Sequence, residues 1–571
     1  MPSFRFARAR LALPLALACG AFAAPAAVAA QPHAAPGHAV DAAAWREDLR
    51  TLAAELRRLH PDPFAMQPEA RFDSAVAALG SRIPGLEPQA VATGLLSVTA
   101  LVEDGHTGAI AMLPPFGFTR FFPLRMTVEE DRLYVVAASA EHRALVGGRV
   151  VTVGRMSAEA ALARVLTVCS GDNHFSRIDR APLFLMSPGV LRSLGIIDED
   201  DALALVVETG GPGPRRASAT VAAVEPGEGR YPAFFQDPEG LPVAGGVSFR
   251  EAATRPLPLH LRDLDRAWWF ETLPERRMVY VMLRRVDRED GGITFAGFIE
   301  RLFAHVDSIG AEYLVIDLRH NGGGDNTILQ PLIHGLIRRE HAVGRPGHLY
   351  TIIGRETFSA AMNCANWLEE HTRTRFVGEP TGARPNHFGD ATTVRLPHSG
   401  MPVRISRYRW SARLPWDERP WIAPHLPAPP SMALAREHRD PALEAIFAET
   451  ESGPMIVRLR AALEAGEIEA ARAVYFDSRR RNPDRWGRTT IRETTDLARA
   501  LFEAGRPEAA LALAGWNTEL YPAVAEVWIT LGAGYVRAGR NAEAAAPLRR
   551  ALEIDPDSES ARRWLARAEG D

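Results

Sequence analysis

Lysine is absent from this sequence. All 66 of the combined Lys and Arg residues in the 571-residue chain are arginine. Alanine is also abundant, so a coding bias toward Arg and Ala accounts for the pattern. The absence still constrains chemistry, because no lysine base, Schiff-base lysine or phosphate-loop lysine can exist here. Cysteine is nearly absent as well, with three in the chain. One of them, Cys19, lies in the N-terminal apolar run, so Cys169 and Cys364 allow one disulfide and exclude a disulfide framework. Charge of one sign is not in excess: a formal net charge of −4 gives no basic surface for nucleic acid or anionic lipid. Beyond the first thirty residues no apolar stretch is long enough to cross a bilayer. No metal or cofactor is assigned.

The N-terminus carries Arg5, Arg8 and Arg10, then a short apolar run, then small residues. This pattern predicts a signal peptide over 1–30, cleaved after Ala29 or Ala30, and hence an exported protein, periplasmic or extracellular. "ALAC" at 16–19 resembles a lipoprotein cleavage box with Cys19 as the acylated residue, although Ala16 stands where Leu is usual.

A chain of this length needs several cores. Residues 41–112 have a helical pattern, with Leu49, Leu52, Leu56 and Leu59 on one face. Residues 113–230 turn β-rich, with alternating stretches such as "DRLYVVAAS" and "DALALVVET" and one helix at "SAEAALARVL". A Pro-rich linker is expected over 231–262. From 263 to 450 strands and helices alternate, which predicts a largely parallel sheet with ligands at the carboxyl ends of its strands. The tail, 455–571, repeats: Trp528, Leu531, Gly532, Tyr535, Ala544, Ala551 and Pro556 have tetratricopeptide spacing, and Leu497, Ala498, Leu501, Ala510 and Pro522 fall in register one repeat earlier. Such a tail is expected to lean on the core and to offer a surface to a protein partner.

"GRETFSAAMN", residues 354–363, places Ser359 between an apolar strand and an apolar helix. A serine there either caps the helix or projects beyond the sheet as a nucleophile, where a helix N-terminus favours developing negative charge. Other stretches bear on the choice. "DLRHNGGGDN" ends a buried strand in three glycines, whose backbone N–H groups suit an oxyanion hole. "LVEDGHTGA" holds His106 on the turn after a helix. "FVGEPTGARPNHFGD" is a turn-rich loop placed to shape a pocket, and "PWDERPWIAP" sets Asp417 beside Glu418.

"DGHT", "LVIDLRHNGGG", "ETFSAAMN", "VGEPTG" and "WIAP", in that order from about Trp45 to Phe447, resemble the tail-specific (carboxy-terminal-processing) serine protease superfamily, in its tricorn-core-like branch. The resemblance implies a helical N-terminal part, a PDZ-like module and a crotonase-like α/β catalytic core. It also implies a polypeptide substrate. One branch of the superfamily activates its serine with a Lys after the "GE.T.G" loop, but here Ala383 and Arg384 stand there, and Arg keeps its proton at neutral pH. The other branch uses a His, which His106 matches, and a supporting acid, for which Glu418 and Asp417 compete. Ser359 is then the nucleophile, and Gly323 and Ala360 supply the oxyanion-hole N–H groups. A histidine base of ordinary pKa would make the rate rise through pH 6–7. The usual glycine-rich carboxylate-binding loop is missing from the module. Two other functions fit the same residues: a catalytically silent peptide-binding scaffold, and an acyl-transferring or ester-hydrolysing enzyme.

Overall fold

In a computed structural model the described residues are 40–111, 119–198, 201–209, 215–225, 246–251, 253–481, 483, 486 and 489–570. The expected signal peptide and Cys19 lie outside them.

The N-terminal part folds as helices Ala42–Leu59, Glu69–Arg82 and Pro88–Ala100. The leucine stripe of the first helix turns inward, with Leu49, Leu52 and Leu56 buried. Its buried Asp48 accepts the backbone N–H groups of His398 and Ser399, which clamps the helix to a hairpin of the core.

The β-rich module is an antiparallel sheet whose strands Leu124–Glu129, Arg132–Ser139, Arg149–Val153, Ala202–Thr209 and Arg215–Ala222 lie side by side in that order. The anticipated helix is Ala158–Leu166. Two more, His174–Leu185 and Pro188–Ser193, were not anticipated. Their starts are set by Asn173, through a reciprocal capping box, and by Ser187, short-range signals that periodicity alone misses. The module also reaches into the stretch expected as linker, because strand Gly246–Ser248 pairs with Arg132–Ser139.

The core sheet has the order Leu426–Pro427, Arg375–Gly378, Leu349–Ile353, Tyr313–Asp317, Met278–Leu283, Trp268–Leu273. All neighbours are parallel except the last pair. Strands Met278–Leu283 and Leu349–Ile353 are buried along their whole length, as expected when helices cover both faces of a parallel sheet. Helices Phe295–Ser308 and Ala360–His371 pack with Met278–Leu283 and Tyr313–Asp317 in one apolar cluster. The mixed α/β core, helical N-terminal part, β-rich module and helical tail are thus all present.

The tail is a run of antiparallel helices from Met455–Ala465 to Glu559–Glu569. It leans on the core through charge and aromatic contacts. Arg375 holds Glu449 (2.9 Å) and Glu493 of the tail (3.0 Å), and Trp421 Nε1 donates to Trp486 O. Cys169 and Cys364 are both free and buried. No described helix is long and apolar enough to cross a membrane.

Candidate active site

Ser359 sits where strand Leu349–Ile353 has ended and helix Ala360–His371 begins, half-buried, at the N-cap position. Its backbone has φ 51° and ψ −123°, and its side chain makes no capping hydrogen bond. A non-glycine residue at positive φ costs on the order of 1–3 kcal/mol and persists only where its surroundings impose it. Here the imposing contacts are plain. Buried Thr357 bonds Leu318 O and the Gly354 N–H. The Phe358 N–H donates to Asn321 O. The capping role is therefore excluded, and the strained turn presents Oγ ahead of the helix N-terminus, as nucleophile turns do.

Gly323 lies directly against this turn. A Cβ at that position would stand 2.6 Å from Ser359 Cβ, 2.9 Å from Ala360 N and 3.1 Å from Ser359 Oγ. Its φ of 112° also disfavours any side chain. The glycine run thus leaves open the space in front of the serine and the first N–H of the helix. One part of the expected oxyanion hole needs correction. The Gly323 N–H is donated to Asn321 Oδ1 at 2.9 Å, and buried Asn321 is itself tied through Nδ2 to Leu283 O, so this N–H is already committed. The Ala360 N–H is the first of the helix and borders the space that Gly323 leaves open.

His106 reaches the site through Phe358, the residue before the serine. The two rings stack at 4.5 Å between centroids and 26° between planes. Residue 105 must be glycine for this, since a Cβ there would stand 2.5 Å from Phe358 Cζ. On another side His106 stacks on His387 at 6.1 Å. Burial pushes the His106 pKa down to about 3, with the opposing pull of Asp104 overcome by burial and by His387, Arg404 and Arg180. A neutral imidazole is what a base needs, and burial moves the expected inflection below the pH 6–7 of an ordinary histidine. Among the described residues Nδ1 of His106 has no hydrogen-bond partner, and no hydrogen bond joins His106 to Ser359.

The acid beside His106 is Asp104, which sequence reasoning missed. Its Oδ1 accepts the His106 backbone N–H at 2.9 Å and lies 4.0 Å from Nδ1. Its Oδ2 accepts Thr107 Oγ1 and Ser406 Oγ, each at 2.5 Å. His60 Nε2 adds a contact at 3.2 Å. Because His60 Nδ1 accepts the Asp62 N–H, Nε2 carries the proton and donates to Asp104. Burial alone would raise the Asp104 pKa, but the His60 bond, the nearby His106 ring and Ser406 hold it well below the usual range. The signal was present in "EDGHT": an Asp two residues before His accepts that residue's N–H in a tight turn. A second acid, Asp172, accepts the Gly105 N–H at 2.6 Å and the Arg384 N–H at 3.2 Å. Burial, aided by the Asp104 charge, raises its pKa.

Among the described residues no hydrogen bond or ion pair joins Asp417 or Glu418 to His106. The Asp417 carboxylate is bound by Arg419 at 2.9 and 2.8 Å, and the same guanidinium holds Glu369 at 2.9 and 2.8 Å. Glu369 lies nine residues into the helix that Ser359 begins, about 13 Å from its start at 1.5 Å per residue. Glu418 is exposed. Of the two adjacent acids, Asp417 is taken up by the arginine two residues on, and Glu418 faces solvent.

A cleft of about 130 Å³ opens between strand Leu124–Glu129 and the turn Gly354–Glu356 that leads to the serine. Two arginines in it are fully engaged, Arg355 with Glu379 and Val128 O, and Arg319 with Asp440 and Asp317. Among the described residues no group of three or more His, Cys, Asp or Glu is arranged to hold a metal ion.

The tetratricopeptide repeat family matches residues 524–568. The fold is similar to that of several solved proteases. Mature CPAF complexed with lactacystin aligns over 72% of this chain and 98% of its own, at 13% identity and TM-score 0.48. The photosystem II D1 C-terminal processing protease aligns over 71% and 96%, at 14% identity and TM-score 0.33. A putative S41 protease from Bacteroides fragilis aligns over 59% and 84%, at 11% identity and TM-score 0.28. No curated protein matches the chain.

Proposed function

We propose that this chain is an exported serine peptidase of the tail-specific, tricorn-core-like kind, acting on polypeptides through Ser359. The observation that carries the reading is the strained, uncapped backbone of Ser359 facing Gly323. A helix cap would have cost less strain and made a bond; this serine makes none. In the proposed reaction Ser359 Oγ attacks the scissile carbonyl carbon as His106 takes the hydroxyl proton. The oxyanion forms at the helix start, stabilised by the Ala360 N–H and by the Gly323 N–H once Asn321 releases it. Collapse breaks the C–N bond, and the proton on His106 goes to the leaving amine. Water then attacks the acyl-enzyme, giving its proton to His106, and the serine hydroxyl is restored. Asp104 is a positioning residue, fixing the His106 loop and offsetting imidazolium charge. The tail recruits a protein partner or substrate. Export rests on the N-terminal Arg-apolar-small pattern.

A silent peptide-binding scaffold is the second reading. It draws on the 4.0 Å gap between Asp104 and His106 Nδ1, too long for a hydrogen bond. Catalytic contacts in a ligand-free site are often long and tighten with substrate. A fluorophosphonate probe decides between the two. Covalent labelling of the wild type, absent in Ser359→Ala, together with peptide hydrolysis, supports the peptidase. A folded wild type that neither labels nor cleaves refutes it.

A further inference from the structure

Exposed apolar side chains are few and unevenly spread. Among the described residues all three exposed aromatics, Tyr408 (58%), Trp410 (36%) and Trp416 (73%), fall within nine positions, with exposed Leu414 between them. Clustering of this kind marks an interaction surface, whereas scattered apolar residues do not. Tyr408 and Trp410 belong to strand Tyr408–Ser411, which pairs with Asn386–Gly389 in a two-stranded ribbon. The two strands differ sharply: Asn386–Gly389 is buried throughout and Tyr408–Ser411 is exposed throughout. The outer edge of Tyr408–Ser411 is unpaired among the described residues, and unprotected edges are templates for another strand.

The ribbon adjoins the candidate site. His387 on the inner strand stacks on His106. A Cβ at Gly389 would stand 3.1 Å from Trp410 Cδ1 and 3.8 Å from His106 Cε1. The strip is also held in place. Asn386 Nδ2 donates to Leu414 O and Asp417 O, and its Oδ1 accepts the Arg413 N–H. Trp410 Nε1 donates to Asp390 at 2.7 Å. Charge selects the occupant. Arg407, immediately before the strand, and Arg409 within it are exposed and alternate with the aromatics, and neither pairs with a carboxylate among the described residues. Strand alternation puts Tyr408 and Trp410 on one face and the two arginines on the other.

We propose that the outer edge of strand Tyr408–Ser411 docks an extended segment of the polypeptide substrate in which large apolar residues alternate with acidic ones. The segment adds a third strand to the ribbon. Its apolar side chains pack on Tyr408, Trp410 and Trp416, and its carboxylates meet Arg407 and Arg409. Strands spaced about 4.8 Å apart put the segment about 10 Å from the strand that touches His106, roughly three extended residues. The strip therefore reads residues some distance from the scissile bond. This inference rests on the peptidase reading for its substrate, but the surface can be tested apart from it.

The test uses full-length protein and three quenched-fluorescent peptides that share one cleavable core and differ in flank: Phe-Glu-Phe-Glu, Ala-Glu-Ala-Glu and Phe-Lys-Phe-Lys. The first should exceed the others at least tenfold in kcat/KM, mainly through KM. Tyr408→Ala with Trp416→Ala should cut the Phe-over-Ala preference below twofold. Arg407→Glu with Arg409→Glu should invert the charge preference toward the Lys flank, a gain that misfolding cannot produce. Fluorescence anisotropy with Ser359→Ala protein gives the same comparison without turnover. Binding lost on substitution of the strip, in a protein whose Ser359 never labels, would sink the peptidase reading and keep the docking surface. A wild type that labels and cleaves all three flanks equally would overturn the docking surface alone. So would a concentration-dependent dimer abolished by Tyr408→Ala, because the strip would then be a self-interface.

Discussion

At its N-terminal end, helix Ala360–His371 leaves polar groups uncommitted: the Ser359 side chain makes no cap bond, and Nδ1 of nearby His106 has no partner. At the other end, charge is spent on partners. Glu369 is gripped by Arg419, approached by Arg413 at 3.7 Å and by Arg492 of the tail at 3.5 Å. Asp417 and Glu493 belong to the same neighbourhood. One end of the helix carries strain and unsatisfied groups, and the other is neutralised pair by pair. The contrast teaches where to look for chemistry: at the end where folding has left a hydroxyl and an imidazole without partners, rather than where acids are most numerous.

The largest effects should come from closing the open end. Gly323→Ala places a methyl 2.6 Å from Ser359 Cβ at a φ of 112°. Loss of the oxyanion space should lower phosphonate labelling and peptide turnover by about a hundredfold or more. Near wild-type labelling in Gly323→Ala would show that the glycine does not face the reacting carbonyl.

Next comes the imidazole. His106→Gln should lower turnover by about 10²–10⁴-fold. Adding Ser359→Ala should cost little more, since residues acting as one unit are not additive. With a pKa of about 3, His106 stays neutral down to acid pH, so turnover should persist at pH 5, where an ordinary histidine would be largely protonated. An inflection near 6.5 would contradict the burial of the ring. The same shift makes a stability prediction. Between pH 6.5 and 3 the unfolded chain binds a proton at this position that the folded chain does not, so stability falls as pH falls. Over pH 7 to 5 the loss should be about 2 kcal/mol, and His106→Gln should lack that share. Urea melts at the two pH values measure the difference.

Much of this was legible in the sequence, and what was missed has a common cause. Strand–helix alternation gave the parallel core, and the glycine run beside a strand-to-helix serine gave the face-to-face contact of Gly323 with Ser359. Those features are local or follow from chain order. Asp104 was missed because two of the donors that hold it come from afar, and the arginine beside Asp417 is local but takes its second acid, Glu369, from a distant helix. Ser406, 302 positions away from Asp104, and Glu369, 50 positions from Arg419, leave no trace in a motif. The Asn321 bond that occupies the Gly323 N–H is a matter of side-chain geometry that spacing does not encode. The downward shift of the His106 pKa is hidden from the sequence for the same reason, since burial is a property of the folded packing.

At the neutralised end, effects should fall on stability and spare the serine. Arg419→Ala removes the guanidinium that Glu369 and Asp417 share and leaves the two acids to the longer contacts of Arg413. A loss of about 2 kcal/mol is expected from the charged hydrogen bonds, read as a shift in urea midpoint at unchanged slope. The folded fraction should label at Ser359 at the wild-type rate. A labelling defect in folded Arg419→Ala would couple the two ends of the helix.

The smallest effect should come from Glu418→Gln, and it cuts most directly at the comparison. Glu418 is exposed, while the preceding loop is pinned by Asn386 to Leu414 O and Asp417 O. Among the described residues no hydrogen bond or ion pair joins Glu418 to His106. Neutralising this exposed carboxylate should therefore change kcat/KM less than twofold and leave the pH profile in place. Asp104→Asn supplies the contrast. Asp104 is the one charge beside His106 that raises its pKa, so its removal should move the acid limb of the profile further down while lowering kcat about tenfold or more through the loosened loop. A large kcat loss in Glu418→Gln, with Asp104→Asn nearly silent, would reverse the assignment and require the 412–419 loop to close over the serine during turnover.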